Sequence, residues 1–233
     1  MYLYETHVHT MPTSACAKVG VREMLAFYQS MGYAGVFMTD HFIDGNFNYA
    51  MRGFSYEERI NSFFSAFEEG QAVGRELGFS VFSGFEMSYG GTDFLVYGID
   101  KAWCLAHPDM DKIPKSQILA MMIAEGALVI QAHPFREASY IDHIRLFPRH
   151  VQGVEVYNAC RTEFENRMAA EYCKNYGLLP FAGSDNHLGA GMTCFGGMAT
   201  EVPLTDERDF IRKVLSLEAT PFCKDETGFR ILA

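Results

Sequence analysis

Ala127-Leu128-Val129-Ile130-Gln131-Ala132-His133-Pro134 is an almost unbroken apolar run that stops on an imidazole. A run of this length reads as a strand buried on both faces, as in a parallel sheet covered by helices. The pattern recurs along the chain. Leu3-Tyr4-Glu5-Thr6-His7-Val8-His9-Thr10 is a first strand that runs out into two imidazoles. Strand side chains alternate faces, so His7 and His9 point the same way, about 7 Å apart along the chain. A short strand over 34–39 ends at Asp40-His41, one over 79–85 at Glu86, and one over 179–183 at Ser184-Asp185-Asn186-His187. A strand over 153–157 carries Glu155, and Asp93 opens another strand after the Gly90-Gly91 turn.

Helical stretches lie between these strands, over 21–31, 55–77, 114–125, 162–176 and 206–217. The clearest is 55–77, where Ser55 and Glu58 form a capping-box pattern and Ile60, Phe63, Phe64 and Phe67 keep the helical period. Gly32, Gly78, Gly126 and Gly177 are the stop signals. Strand and helix mostly alternate and no linker breaks the chain, so residues 1–233 read as one α/β domain. An open doubly wound sheet is one solution. A TIM-like barrel is the better one, because polar residues sit at the C-terminal end of strand after strand, where barrel active sites are built.

The totals narrow the function. The formal charge of −10 argues against avid binding to duplex nucleic acid, which needs a basic face. No apolar run reaches the roughly 18 residues of a membrane span, and no signal peptide is evident. The six cysteines form no C-x-x-C pair, so a cytoplasmic protein with free thiols is expected. The 20 Phe and 12 Tyr read as core packing. Five of the eight histidines (His7, His9, His41, His133 and His187) fall at strand ends, four of them beside a carboxylate or another His, which packing alone does not readily produce. His107, His143 and His150 lie outside the pattern and read as surface residues.

The ordered set His7-x-His9-Thr10, Thr39-Asp40-His41, Gly84-x-Glu86, Ala132-His133-Pro134, Gly153-Val154-Glu155-Val156-Tyr157-Asn158 and Gly183-Ser184-Asp185-x-His187 resembles the polymerase-and-histidinol-phosphatase (PHP) family of metal-dependent phosphoesterases. Each piece alone is weak; together, in order, they span nearly the whole chain. The resemblance implies a distorted (β/α)7 TIM-like barrel whose cleft holds two or three divalent metals (Zn, Mn or Fe, with Mg an option). His7, His9, Glu86 and Asp185 would hold one ion. Glu86 would bridge to a second ion, shared with His133, and His41 and His187 would hold a third. A metal-bound hydroxide, held by ligands that include Asp185 and Glu86, would attack phosphorus.

The chain departs from the fuller family pattern at three places. Asp93 stands where relatives often carry a ligand His; it can still bind metal and favours harder ions. The first loop reads Thr13-Ser14-Ala15-Cys16, without the further His that some relatives use for a third metal. Phe42 follows the Asp-His pair where many nuclease-like members have Asp. Arg136 and Arg161 are candidate contacts for the substrate phosphate, with a rim salt bridge as the plainer alternative. Asp40 reads either as an acceptor that orients a ligand His or as a cap for the following loop. Glu155 reads as a hydrogen-bonding group within the barrel, with metal contact the lesser alternative; Cys16 reads as a small loop residue, with a thiolate ligand to metal the lesser alternative; and 189–197 reads as a glycine-rich loop that either flexes over substrate or only connects.

The expected activity is hydrolysis of a small phosphomonoester such as a sugar, nucleotide or histidinol phosphate. The alternatives are a phosphodiesterase or exonuclease on short single strands, and a non-catalytic metal-binding barrel. The expected partner is a small phosphorylated substrate, with neither duplex nucleic acid nor membrane.

Overall fold

The computed structural model describes residues 1–232. Ten strands form one continuous sheet: β1 (Tyr2–Val8), β2 (Gly35–Met38), β3 (Ser80–Tyr89), β4 (Thr92–Tyr97), β5 (Leu128–Ala132), β6 (Gly153–Asn158), β7 (Leu179–Gly183), β8 (Phe195–Thr200), β9 (Ala219–Asp225) and β10 (Gly228–Ile231). Their spatial order is β10-β9-β8-β1-β2-β3-β4-β5-β6-β7. Six helices cover the sheet: α1 (Val21–Ser30), α2 (Tyr56–Leu77), α3 (Lys101–Ala106), α4 (Lys115–Ala124), α5 (Glu163–Tyr176) and α6 (Glu207–Leu215).

The sheet curls back on itself at one rim. Beyond β7, Asn186 pairs with Val8 of β1 in a parallel bridge, with Asn186 N–H donating to His7 O at 3.1 Å and His9 N–H to Asn186 O at 2.9 Å. The contact demands a glycine at Gly183, because a Cβ there would stand 2.6 Å from the His7 Cβ. Strands β1 to β7 thus surround a common interior, as a TIM-like barrel requires. The regular (β/α)7 repeat is not what the chain builds. β3 and β4 form a hairpin across Gly90-Gly91, and β4 runs antiparallel to both neighbours. A hairpin leaves no room for a helix between its strands. No helix separates β5 from β6 either. Strands β8 to β10 form an antiparallel extension along β1, so Gly196 and Gly197 belong to a strand and not to the loop expected over 189–197.

Local signals set the helix ends. Ser55 and Glu58 make the capping box of α2, and Gly78 takes the left-handed conformation that stops it (φ 65°). Thr162 and Glu165 do the same for α5. Tyr4, Phe37, Tyr97, Ile130 and Phe181 fill the barrel interior. Phe210 of α6 closes the end away from the histidines, with ring centroids 4.2 Å from Phe37 and 5.5 Å from Tyr97. Such aromatic pairs contribute roughly 0.5–1.5 kcal/mol beyond their buried area. Phe42 belongs to a second aromatic cluster outside the barrel, stacked on Phe85 at 4.6 Å and against Phe63 at 5.2 Å. No helix among the described residues is long and apolar enough to cross a membrane.

Candidate metal centre

The rim where β1 meets the end of β7 collects the strand-end side chains. His7 and His9 do share a face, with ring centroids 5.1 Å apart. Their Nε2 atoms aim at two carboxylates. His7 Nε2 lies 3.4 Å from Glu86 Oε1 and 3.7 Å from Asp185 Oδ1; His9 Nε2 lies 3.6 Å from Glu86 Oε2 and 3.3 Å from Asp185 Oδ1. Glu86 also meets His133 Nε2 at 3.0 Å and His41 Nδ1 at 2.6 Å. It is the hub of the centre, one buried carboxylate facing four imidazoles.

Three overlapping groups of ligand atoms fall within 4.8 Å: His7, His9 and Asp185; His7, Glu86 and His133; and His9, His41 and His187. Whether they fit divalent metal is decided by unpaired atoms. His7 Nε2 and His9 Nε2 are buried and have no hydrogen-bond partner, and the close contact between His41 Nδ1 and Glu86 Oε2 lacks hydrogen-bond geometry. A buried polar atom left unpaired costs about 1–3 kcal/mol, so several converging on one spot is the signature of a missing ligand. The donor set of imidazole and carboxylate suits Zn, Mn or Fe.

Electrostatics agree. Burial raises the Glu86 carboxyl, but His41, His7 and His133 hold it well below the usual carboxylate range. Asp185 is likewise held low against burial by His7, His9 and His133. His9, desolvated and crowded by His187 and His41, is pushed well below its ordinary value and stays neutral, the form that binds metal. Two positions pay backbone strain to reach the centre. His133 (φ 25°) and Asp185 (φ 56°) lie in the left-handed region, at a cost of order 1–3 kcal/mol each.

Glu155 shows what holds them. It is fully buried and touches no ligand nitrogen aimed at the centre. Its Oε1 pairs with His7 Nδ1 at 2.9 Å, while Oε2 accepts from His133 N–H at 3.0 Å and Asn158 Nδ2 at 2.9 Å. Glu155 fixes the His7 tautomer and the strained His133 backbone together. Glu155→Gln keeps the shape but removes one acceptor. It is expected to weaken metal affinity about 10- to 100-fold, measured by chelator competition, with the far-ultraviolet circular dichroism unchanged.

Comparison with solved structures gives the architecture a precedent. A two-domain protein from Bacteroides vulgatus that contains a predicted PHP-like metal-dependent phosphoesterase superposes with a TM-score of 0.67 at 14% identity, over 94% of this chain and 64% of that one. The fold is that of the PHP-like phosphoesterases. A protein from Bifidobacterium adolescentis assigned as a metal-dependent phosphoesterase gives 0.56 at 13% identity, over 93% and 96% of the two chains. PfuEndoQ, a lesion-specific endonuclease from Pyrococcus furiosus, gives 0.58 at 9% identity, over 99% of this chain and 57% of its own. The chain therefore spans less than two thirds of the first and third of these proteins. No family model and no curated protein matches the sequence.

Within this PHP-like fold, several residues sit differently from expectation. Asp93 reaches the rim, yet it joins none of the three ligand groups. Its Oδ2 pairs with the Arg136 guanidinium at 2.9 Å and lies 4.0 Å from His133 Nε2, and its Oδ1 accepts from Ser88 Oγ at 2.6 Å. Asp93 anchors an arginine here, so Arg136 does form a salt bridge. Asp40 touches no histidine. It accepts from Thr10 Oγ1 and Ser14 Oγ, both at 2.7 Å, and clamps the preceding loop, not the following one. It reaches His9 only through Ser14, whose Oγ lies 3.1 Å from His9 Nδ1. Arg161 lines the cleft with its Nε unpaired. Cys16 lies in the cleft as well. Burial raises its thiol, but hydrogen bonds to His187 and His41 bring it down to about 6.

Glu5 escaped the sequence reading because it looks like one polar residue on a strand. It is fully buried and accepts from the backbone N–H groups of Thr6, His7 and Ser184, each at 2.9 Å, and from Ser184 Oγ. It latches the first strand to the last ligand-bearing segment. Its adjacency to His7-x-His9 was the only signal available.

Proposed function

We propose that this protein is a metal-dependent phosphoesterase that hydrolyses small phosphomonoesters. One observation carries the reading: unpaired, buried imidazole and carboxylate atoms converge on the floor of a cleft of about 650 Å³ whose rim carries two arginines. Divalent ions, when bound, would supply Lewis-acid polarisation of the phosphoryl oxygens and activation of water near neutral pH. His7, His9, Glu86 and Asp185 would hold one ion, Glu86 and His133 a second, and His41 and His187 the third position.

The protein's own side chains do the rest. Asp93 and Ser88 fix Arg136, so its guanidinium stands in the cleft without paying to be ordered at binding. Arg161, on the segment after β6, lines the cleft, and its buried Nε has no partner. Two guanidinium forks suit the oxygens of a phosphate dianion. Phe42, committed to the aromatic cluster, leaves the cleft without the carboxylate of the nuclease-like pattern. The charge of −10 also opposes a long polyanionic substrate.

Arg161→Ala is expected to lower kcat/KM for a phosphomonoester roughly 10- to 100-fold, the worth of a charge-assisted hydrogen bond. The metal content should stay unchanged by elemental analysis. The activity itself is tested with purified protein loaded with Mn²⁺ or Zn²⁺. Hydrolysis of an aryl phosphate faster than of a bis(aryl) phosphodiester supports the reading. Less than one equivalent of metal and no hydrolysis of either ester would sink it. Faster diester hydrolysis would move the assignment to a phosphodiesterase.

A further inference from the structure

The cleft of about 650 Å³ is of a size that encloses a drug-sized molecule, so a phosphate held by the arginines leaves most of it for the rest of the substrate. Among the described residues that line it, Tyr140 carries the only phenyl ring. Tyr140 is 69% exposed, although its neighbours Ile141 and Phe147 pack on the hairpin of β3 and β4.

This ring does not hang from a loose loop. Residues 133–152 join β5 to β6 without a helix, and this strap is fastened from both sides. The fully buried Gln131 donates through Nε2 to Arg145 O at 2.7 Å and to Thr92 Oγ1 at 3.0 Å. Its Oε1 accepts from Phe147 N–H at 3.0 Å and from the Tyr172 hydroxyl at 3.2 Å. Every hydrogen-bonding place of that amide is filled. One side chain thus ties the strap to β4 and to α5. The strap lies flat against the hairpin because the turn is Gly90-Gly91: a Cβ on Gly91 would stand 2.9 Å from Ile141 Cγ1. Tyr140 is a central residue of the turn closed by Ile141 N–H donating to Ala138 O at 2.9 Å.

The ring is also tied to the phosphate contact. Its centroid lies 5.8 Å from the Arg136 guanidinium carbon, near the outer limit of a cation–π contact. Arg136, fixed by Asp93, therefore orients the ring without covering it. A phosphate that takes the Arg136 fork puts the first atoms of its alcohol within reach of the open ring. Gly45, Gly90 and Gly91 line the same cleft without side chains, which leaves room for a flat group, and Asp44 there is already paired with Lys115 at 2.7 Å.

We propose that Tyr140 is the leaving-group subsite, a stacking platform that selects phosphomonoesters whose alcohol carries a flat aromatic or heteroaromatic ring one or two bonds from the ester oxygen. Aromatic faces reward such a ring with offset or edge-to-face contact, which a saturated ring of the same size cannot make. Tyr140 is thus a specificity-determining residue, and Gln131 positions it through the strap. The proposal rests on the phosphoesterase reading above.

The test compares benzyl with cyclohexylmethyl groups, which match in size and differ in the π face. Calorimetric titration of the full, Zn²⁺-loaded chain with benzylphosphonate and cyclohexylmethylphosphonate measures binding without turnover. The wild type should bind the benzyl compound about 3- to 10-fold tighter, although the saturated one is the more apolar. Tyr140→Phe should keep the preference, and Tyr140→Leu, which keeps an apolar side chain without a π face, should abolish it. Equal affinities in the wild type, no binding of either phosphonate, or a preference that survives Tyr140→Leu overturns this inference. The matching phosphates separate it from the reading it rests on. The preference in binding with no hydrolysis of either phosphate overturns the phosphoesterase reading and leaves the platform standing as a ligand site. Hydrolysis of both phosphates at equal kcat/KM overturns the platform alone.

Discussion

Glu86→Ala is expected to empty the centre and to lower kcat/KM by about a thousandfold or more, since the loss of metal-derived charge stabilisation is worth several kcal/mol. The effect should exceed that of any single histidine replacement. Glu86 faces His7, His9, His41 and His133 within 3.6 Å, so its removal disturbs all three ligand groups at once. It also leaves four buried imidazoles that have lost their counter-charge. Elemental analysis and steady-state kinetics on an aryl phosphate read the two consequences separately. Retention of a full metal complement in Glu86→Ala would show that the hub is not where the ions sit.

Stripping metal from the native protein should lower its Tm by about 10 °C for each ion lost. An ion at a thousand times its Kd stabilises the fold by about 4 kcal/mol per site, and a chain of this size shifts roughly 2–4 °C per kcal/mol. The sign with pH follows from the protons that metal must displace. Against burial, Glu155, Asp185 and Glu86 hold His7 well above its ordinary value, and Glu86 does the same for His41. The metal-free protein therefore carries protons at these rings near neutral pH. Their own contribution to stability is fully present below the unfolded-state value and fades as pH rises through the raised ones. Metal binding releases those protons, so the stabilisation by metal should grow with pH and shrink in acid. Differential scanning calorimetry of loaded and chelator-treated protein at several pH values checks both. A difference in Tm that widened on acidification would contradict the assignment.

The strand-end pattern was legible because it depends on local rules. A buried strand is an apolar run, its end is where polarity returns, and the alternation of side chains puts His7 and His9 on one face. The helix ends were equally local, as the capping boxes at Ser55 and Thr162 show. What escaped the sequence was pairing between distant segments. The antiparallel direction of β4 comes from a hairpin turn whose partner strand is chosen by packing, and with it came the diversion of Asp93 to Arg136. Strands β8 to β10 have no strong alternation and exist because β1 offers an edge.

The latch between Glu5 and Ser184 has a consequence for how the molecule is made. The two residues are 179 positions apart, so His7 and His9 meet Asp185 only after the whole intervening segment has been made. A nascent chain that has emerged as far as β6 holds His7, His9, Glu86 and His133 but lacks Asp185 and the donors that neutralise Glu5. Closing so long a loop is among the slower steps of folding. On the ribosome, the capture of ions in their final arrangement would therefore be a late event. It would act as a checkpoint that separates chains that include Asp185 from those that stop before it.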